Sequence, residues 1–405
     1  MINKISILSL HMLLVMFIML AENHVLFGQT LKQNDSIDNY INEYIGENNV
    51  PGFAACVIKN DSIVWSGFYG KADIKNDVGI SQEGIMNIGS ISKTFTATAA
   101  MQLWEQGLIT LDSDVSEYVG FKIRNPEYPE KPITIFQILT HTSSIIDGKA
   151  YSESYSCGDP TMSLNDWIFN NLSPDGIYYN DGDSFAKWEP GGENKYSNVA
   201  FGLLGLIVEK ISKTPFNVYC KQNIFYPLGM QNTGWFLSEI DTNRYIKPYG
   251  FITEENRNRI RENKLYPKAS DFKVGSFVEN CLYSFPNYPD GLVRTSIQEL
   301  SLYLTAMMNG GELNGGNILK KETIKKMLSL QIEGNNSQGL CWRRKEIQSK
   351  SGTYNLWGHS GGDPGITTHL FFNPDNKIGV ITFQNRAIRG ADKIVERLYL
   401  AVQDF

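Results

Sequence analysis

Strand-like patterns stand at the two ends of this chain with helical patterns between them, and that separation is the strongest constraint on its fold. Near the start, Ala54–Lys59 and Ile63–Tyr69 are apolar runs joined by the polar pair Asn60-Asp61, the pattern of a hairpin. Near the end, Leu340–Glu346, Leu356–Ser360, Ile366–Phe372 and Gly379–Gln384 read as four more strands, with a last helix over Ile388–Gln403. Strands need partners, so both chain ends are expected to enter one sheet. The predicted class is α/β (α+β): an antiparallel sheet built from both chain ends and flanked by helices, with a mostly helical insertion domain. Residues 30–107 and 296–405 would form the discontinuous sheet domain and residues 108–295 the insertion.

Residues 33–49 carry Ile37, Tyr40, Ile41, Tyr44 and Ile45 at helical spacing and end before Pro51-Gly52. Residues 133–141, 296–310 and 321–330 also read as helices. A cleaner one follows Asn198, where Ala200, Leu203, Leu204, Ile207, Val208 and Ile211 make a broad apolar face. The stretch from Glu239 to Tyr288 is polar, aromatic-rich and poorly periodic, which suits loops over a cleft.

The first residues are set aside. Lys4 precedes an apolar run from Ile5 to Leu20, and Leu26-Phe27-Gly28-Gln29 offers a small residue, so residues 1–28 read as a secretory signal cut after Gly28. An uncleaved anchor is the alternative, and no stable membrane span is expected after cleavage. The protein would then be secreted or periplasmic. A net charge of -6 with no basic run argues against nucleic acid or anionic membrane as partner. The five cysteines, Cys56, Cys157, Cys220, Cys281 and Cys341, are odd in number and irregularly spaced. They read as core filler more than as a disulfide framework or zinc site, with one bridge left possible and unassigned.

Chemistry concentrates at Asn87-Ile88-Gly89-Ser90-Ile91-Ser92-Lys93. If this opens a helix, Ser90 and Lys93 share a face, and an amine neutral for part of the time could take the serine's proton. Ser-x-x-Lys recurs at Ser184…Lys187 and Ser270…Lys273, but only the first copy leads into a long proline-free apolar pattern, read as an amphipathic helix. A serine at a helix start is also a common N-cap. Tyr196-Ser197-Asn198, on a tight loop after Pro190-Gly191-Gly192, offers a phenol for proton transfer and an amide for substrate.

Trp357-Gly358-His359-Ser360-Gly361-Gly362-Asp363 supplies small residues on a strand, where a ligand can approach backbone closely. The N–H groups of Ser90 and Gly362 would form an oxyanion hole beside His359, Ser360 and Gly361. Gly358–Gly362 also fits the G-x-S-x-G nucleophile elbow, but a β pattern rather than a helix follows it. His141 reads as structural and His369 as a strand-face residue. Arg386 and Arg389 read as solvated surface, and no metal or cofactor is expected.

In their order, S-x-x-K, then Y-x-N, then H-S-G, these pieces resemble the serine β-lactamase and penicillin-binding family, most closely its class C β-lactamase, DD-peptidase and esterase branch. Ile135–Ser143, Phe225–Thr233 and Phe372–Asp375 resemble further family segments, so the likeness covers about residues 35–400. The resemblance implies a serine hydrolase fold and acyl-enzyme chemistry at Ser90, with Lys93 and Tyr196 sharing the proton work. Its substrate would be a small molecule or peptide with an amide, ester or β-lactam carbonyl. His359 stands where lysine is usual in class C β-lactamases, which points toward peptidase or esterase activity. Ser144 replaces a usual glycine, and Asp290–Thr295 is a variant segment expected to stand clear of the chemistry.

Overall fold

The structure is a computed structural model and describes residues 35–267 and 272–403. The expected signal segment lies outside the described residues, as does Ser270 of the third Ser-x-x-Lys copy. The main sheet has strands β1 (Gly52–Lys59), β2 (Ser62–Asp73), β3 (Val78–Gly79), β4 (Arg343–Ser349), β5 (Gly352–Asp363), β6 (Ile366–Asn373) and β7 (Ile378–Gln384). Their spatial order is β4-β5-β6-β7-β1-β2-β3, and every neighbouring pair is antiparallel. The two chain ends meet at β1 and β7, in register from Phe53 opposite Gln384 to Lys59 opposite Ile378. The sheet built from both ends is therefore observed.

The longer helices that matter here are α1 (Asp35–Glu47), α2 (Ser92–Glu105), α3 (Val199–Ser212), α4 (Ile297–Met308) and α5 (Lys393–Gln403). Strand β1 is buried on both faces, and its period of two divides two cores. Phe53, Ala55 and Val57 face α1 and α5, packing with Ile37, Ile41, Ile394, Leu398 and Tyr399. Ala54, Cys56 and Ile58 belong to the larger cluster, which is continuous through Phe95, Leu204 and Leu300. The helices between the strand groups thus share the core of the sheet's inner face.

α2 differs from the amphipathic helix expected. All residues from Ser92 to Leu103 are buried, because α2 runs through the middle of that cluster. Phe95 stacks on Tyr303 of α4 at 4.0 Å between centroids and meets Phe225 edge-on at 5.5 Å. Such a helix is apolar or small on every side because no face meets water.

The region from Glu239 to Tyr288 resolves into short pieces: a hairpin pairing Tyr249–Phe251 with Phe277–Glu279, a helix over Arg257–Glu262, and 3-10 turns. A disulfide joins Cys157 to Cys281 across 124 residues of sequence, tying this region to the 150s. Cys56, Cys220 and Cys341 are free and buried, as core filler would be. Arg386 departs from the solvated surface expected of it. It donates to the carbonyls of Asn48 and Asn49 and lies over the Phe251 ring, fastening the end of α1, while Arg389 is exposed.

Candidate active site

Ser90 sits in a 3-10 turn, Gly89–Ile91, that leads directly into α2. The turn is fixed from below by neighbouring strands. Ile85–Asn87 pairs with Arg294–Ser296, and Ile88 O accepts from Thr368 Oγ1 of β6 at 2.7 Å. Gly89 adopts φ +54, and its N–H donates to Asn87 Oδ1 at 2.8 Å. A Cβ on Gly361 would lie 2.0 Å from Ile88 O, so only glycine lets β5 approach this closely. Ser90 and Gly362 are thereby neighbours. No side-chain cap hydrogen bond forms at the start of α2, so Ser90 is not consumed as an N-cap.

At the second position of α2, Lys93 is fully buried. Its Nζ donates to Ser90 Oγ at 3.1 Å, to Asn198 Oδ1 at 2.6 Å and to the backbone carbonyl of Asp290 at 2.8 Å. Two of these partners, an amide oxygen and a carbonyl, can only accept, while the Ser90 hydroxyl can either accept from the amine or donate to it. Burial opposes the charge, but Tyr196, Asp290 and Asp147 outweigh it and hold Lys93 above the ordinary lysine value.

Tyr196 lies across Lys93, whose Nζ is 4.9 Å from the ring centroid. Its hydroxyl is buried without a completed hydrogen bond. Burial pushes the phenol above its ordinary value, while Lys93 and the Ser90 hydroxyl pull it back. Behind it, His141 packs ring to ring at 4.4 Å and accepts from Ser197 N at 3.3 Å, so this buried histidine supports the tyrosine. Its residue takes φ +56, as does Ser144 at +60 in the glycine-like position, where Asn125 Nδ2 holds the Ser144 hydroxyl at 3.0 Å.

Asn198 precedes α3. Its amide donates to Asp147 Oδ2 at 2.7 Å, and Asp147 Oδ1 also accepts the N–H groups of Asn198 and Val199 at 2.7 and 3.0 Å. Asp147 thus closes the start of α3, a role the sequence did not disclose. His359 is buried, with Nδ1 2.7 Å from Ser360 O and no partner on Nε2. Burial and the nearby Lys93 charge push it down to about 3, so it is neutral at physiological pH. Ser360 and Gly362 are exposed on β5. His369 is buried instead on β6 against Thr382 Oγ1 at 3.0 Å, away from this group.

The Asp290 segment does reach the chemistry, contrary to expectation. The 3-10 turn Tyr288–Asp290 is wedged between α2 and α3. Asn287 and Pro289 fit there because α3 carries Gly202 and Gly205: a Cβ on Gly202 would lie 1.8 Å from Asn287 Oδ1, and one on Gly205 2.4 Å from Pro289 Cγ. Those two glycines inside an apolar helix pattern were the available signal. Asn287 Nδ2 donates to Asn198 O at 2.9 Å and to Asp290 Oδ2 at 2.7 Å, and its own oxygen accepts from Trp167 Nε1 at 2.9 Å. Among the described residues no group of His, Cys, Asp or Glu is placed to hold a metal ion, and no helix is long and apolar enough to cross a membrane.

An antiparallel sheet flanked by helices, with a Ser-x-x-Lys turn facing its β5 edge and a Tyr-x-Asn loop opposite, defines the β-lactamase/transpeptidase-like fold. The Beta-lactamase family model matches residues 37–404, and the chain belongs to that family. It is 24% identical over 370 residues to the protein flp of Staphylococcus aureus strain MRSA252, covering 90% of this chain and 66% of that relative's length. Among solved structures, an octameric penicillin-binding protein homologue from Pyrococcus abyssi aligns with TM-score 0.71 and 26% identity, over 91% of this chain and 77% of that one. A D-amino acid amidase from Ochrobactrum anthropi SV3 shares the fold with TM-score 0.69 and 19% identity, over 92% and 98% of the two chains. The family is one of serine hydrolases of the β-lactamase fold.

Proposed function

We propose that this protein is an exported serine hydrolase that cleaves an amide or ester through an acyl-enzyme on Ser90, in the manner of a peptidase, amidase or esterase. The observation that carries it is the chain Ser90 Oγ, Lys93 Nζ, Asn198 Oδ1, with Tyr196 over the lysine. Ser90 Oγ attacks the carbonyl as the Tyr196–Lys93 pair, having given up one proton, takes the serine's. The N–H groups of Ser90 and Gly362 receive the tetrahedral oxyanion. The pair then returns the proton to the leaving group, and water attacks the acyl carbon by the same route.

A neutral His359 favours this over a dedicated β-lactamase, because it offers no charge to a substrate carboxylate. The names of the similar proteins, a penicillin-binding protein homologue and an amidase, support the same breadth. The Cys157–Cys281 bridge supports export to an oxidising compartment. The sequence signal at residues 1–28 supports it too.

A fluorophosphonate probe tests the hydrolase. Wild type is expected to take one covalent label and Ser90→Ala none; equal labelling of both removes Ser90 as nucleophile. Purified protein is then offered p-nitrophenyl acetate, a D-Ala-D-Ala peptide and nitrocefin. Turnover of nitrocefin at the rate of a dedicated β-lactamase overturns the preference drawn from His359.

A further inference from the structure

The mechanism above leaves a buried carboxyl beside Lys93 unused. Asp290 is 1% exposed, beneath Lys93, where the family segment it belongs to resembles a glycine-rich one. Its backbone carbonyl is one of the three hydrogen-bond partners of Lys93 Nζ. Its carboxyl is held by neutral donors, Asn287 Nδ2 at 2.7 Å and the Tyr151 phenol. Asn287 also grips Asn198 O, so one side chain ties this carboxyl to Asn198 of the candidate site. A carboxyl clamped that firmly inside the protein, next to the residues that must exchange a proton with Ser90, acts on them through space.

We infer that Asp290 is a positioning residue that sets the pH at which the Tyr196–Lys93 pair gives up the proton it must lose before Ser90 can be activated. The inference rests on the hydrolase proposed above for its kinetic readout. The reasoning is electrostatic. Asp290 is bonded to Lys93 Nζ through its backbone carbonyl at 2.8 Å, so its carboxylate, when ionised, adds a negative charge on the same residue and stabilises the protonated forms of the pair. Removing that charge makes the proton easier to lose. Other groups face Asp290 and share the field. Lys93 comes from α2, Tyr151 from the helix Lys149–Glu153, Asp147 from the loop before it, Tyr155 from just after it, Asp363 from β5 and Tyr196 from the loop before α3. Of these, Lys93 alone is cationic. Asp147 and Asp363 act in the same direction as Asp290, so its removal shifts the balance without abolishing it. Burial, eased by Lys93, leaves Asp290 itself raised to about 7, and Asp363 likewise stands at about 7. The carboxyl is therefore itself part ionised near neutrality.

The test is the second-order rate of fluorophosphonate labelling of Ser90 from about pH 6 to about pH 11.5, in wild type, Asp290→Asn, Asp290→Glu and Asn287→Ala. Asp290→Asn keeps an oxygen for the Asn287 amide and removes the charge. Its acid limb is expected to move down by about one pH unit. Asp290→Glu restores the charge and is expected to return the midpoint toward that of wild type. Asn287→Ala disturbs the geometry, so its rate is expected to fall by a similar factor across the range. A midpoint in Asp290→Asn within 0.2 pH units (roughly the error of such a profile) of wild type, whatever its plateau, overturns the proposal. If wild type takes no label at any pH, the hydrolase reading fails separately. Tyr196 ionisation, followed as the ultraviolet difference between each protein and its Tyr196→Phe counterpart, then carries the test. The phenolate must appear at lower pH when Asp290 is Asn, and an unchanged titration sinks the inference.

Discussion

The two faces of the central sheet are built from alternate residues of the same strands, yet they bury different things. On the outer face Phe53, Ala55 and Val57 pack with α1 and α5 through side chains that are almost wholly apolar. On the inner face the cluster around α2 encloses Lys93, Asp290, Asn287 and Arg294, each at 2% exposure or less. Apolar burial of the first kind stabilises without specifying, at about 1.5–3 kcal/mol per large side chain. Burial of the second kind costs free energy unless every polar atom is met. The inner face meets many of them, Arg294 donating to the carbonyls of Trp235, Leu292 and Tyr283 and to Ser284 Oγ, but leaves the Tyr196 hydroxyl and His359 Nε2 without partners at the site itself. The asymmetry separates what holds the fold from what holds the site.

If that separation is real, substitutions on the two faces must fail differently. The largest effect is expected at Lys93→Met, which removes the charge and all three hydrogen bonds at once. Labelling of Ser90 should fall by about a thousandfold or more, with a loss of roughly 1–3 kcal/mol in unfolding free energy from the buried acceptors left without a donor. A loss of labelling below tenfold would mean that the lysine is structural. Next comes Phe53→Ala on the outer face, where a fully buried ring leaves a cavity. A loss of about 3–5 kcal/mol in unfolding free energy is expected, with the pH profile of labelling intact in the protein that remains folded. A shifted profile would show that the faces are coupled.

The third case, Gly202→Ala, stands on the boundary between helix propensity and packing. Alanine in a helix interior is ordinarily favoured over glycine by about 1 kcal/mol. Here the added methyl would lie 1.8 Å from Asn287 Oδ1, and Asn287 is itself fully buried and bonded to Trp167, Asn198 and Asp290. Overpacking and the lost hydrogen bonds outweigh the propensity, for a net loss of roughly 3 kcal/mol together with slower labelling. Stabilisation in urea denaturation would show that the Asn287 turn moves aside at no cost.

The two faces also differ in how much of them the sequence disclosed. The outer face was legible because alternation in β1 and spacing in α1 and α5 are local patterns, each readable within a dozen residues. The strands of both ends were found for that reason, with errors at their edges, such as β5 beginning at Gly352 rather than Leu356. Ser90, Lys93, Tyr196, Asn198 and His359 were found from short motifs taken in order, and the structure brings them together. Asp147, Asn287 and Asp290 were not found. Their significance lies in pairings across 51 to 197 residues, and an isolated aspartate carries no periodic signal. The lysine's protonation state is equally hard to read locally, since it depends on partners supplied by three separate segments.

The smallest effect expected is also the one that bears most directly on the cost of the inner face. Asp290 is raised from the ordinary carboxylate value of 3.8 to about 7, chiefly by burial. The folded state therefore binds this proton more tightly than the unfolded chain does. The sign follows: the associated stability is fully present below pH 4 and is lost as pH rises through about 7 (the two values between which the group titrates). Asp290→Asn has no such proton to lose. Relative to wild type it should gain about 2 kcal/mol between pH 4.5 and pH 8, a figure well below the full linkage value because nearby Lys93 and solvent relaxation absorb part of it. Urea denaturation at the two pH values measures this. An equal difference between the proteins at both would mean that Asp290 is ionised throughout. Its charge would then be fully compensated by Lys93, and the inner face would carry it without loss.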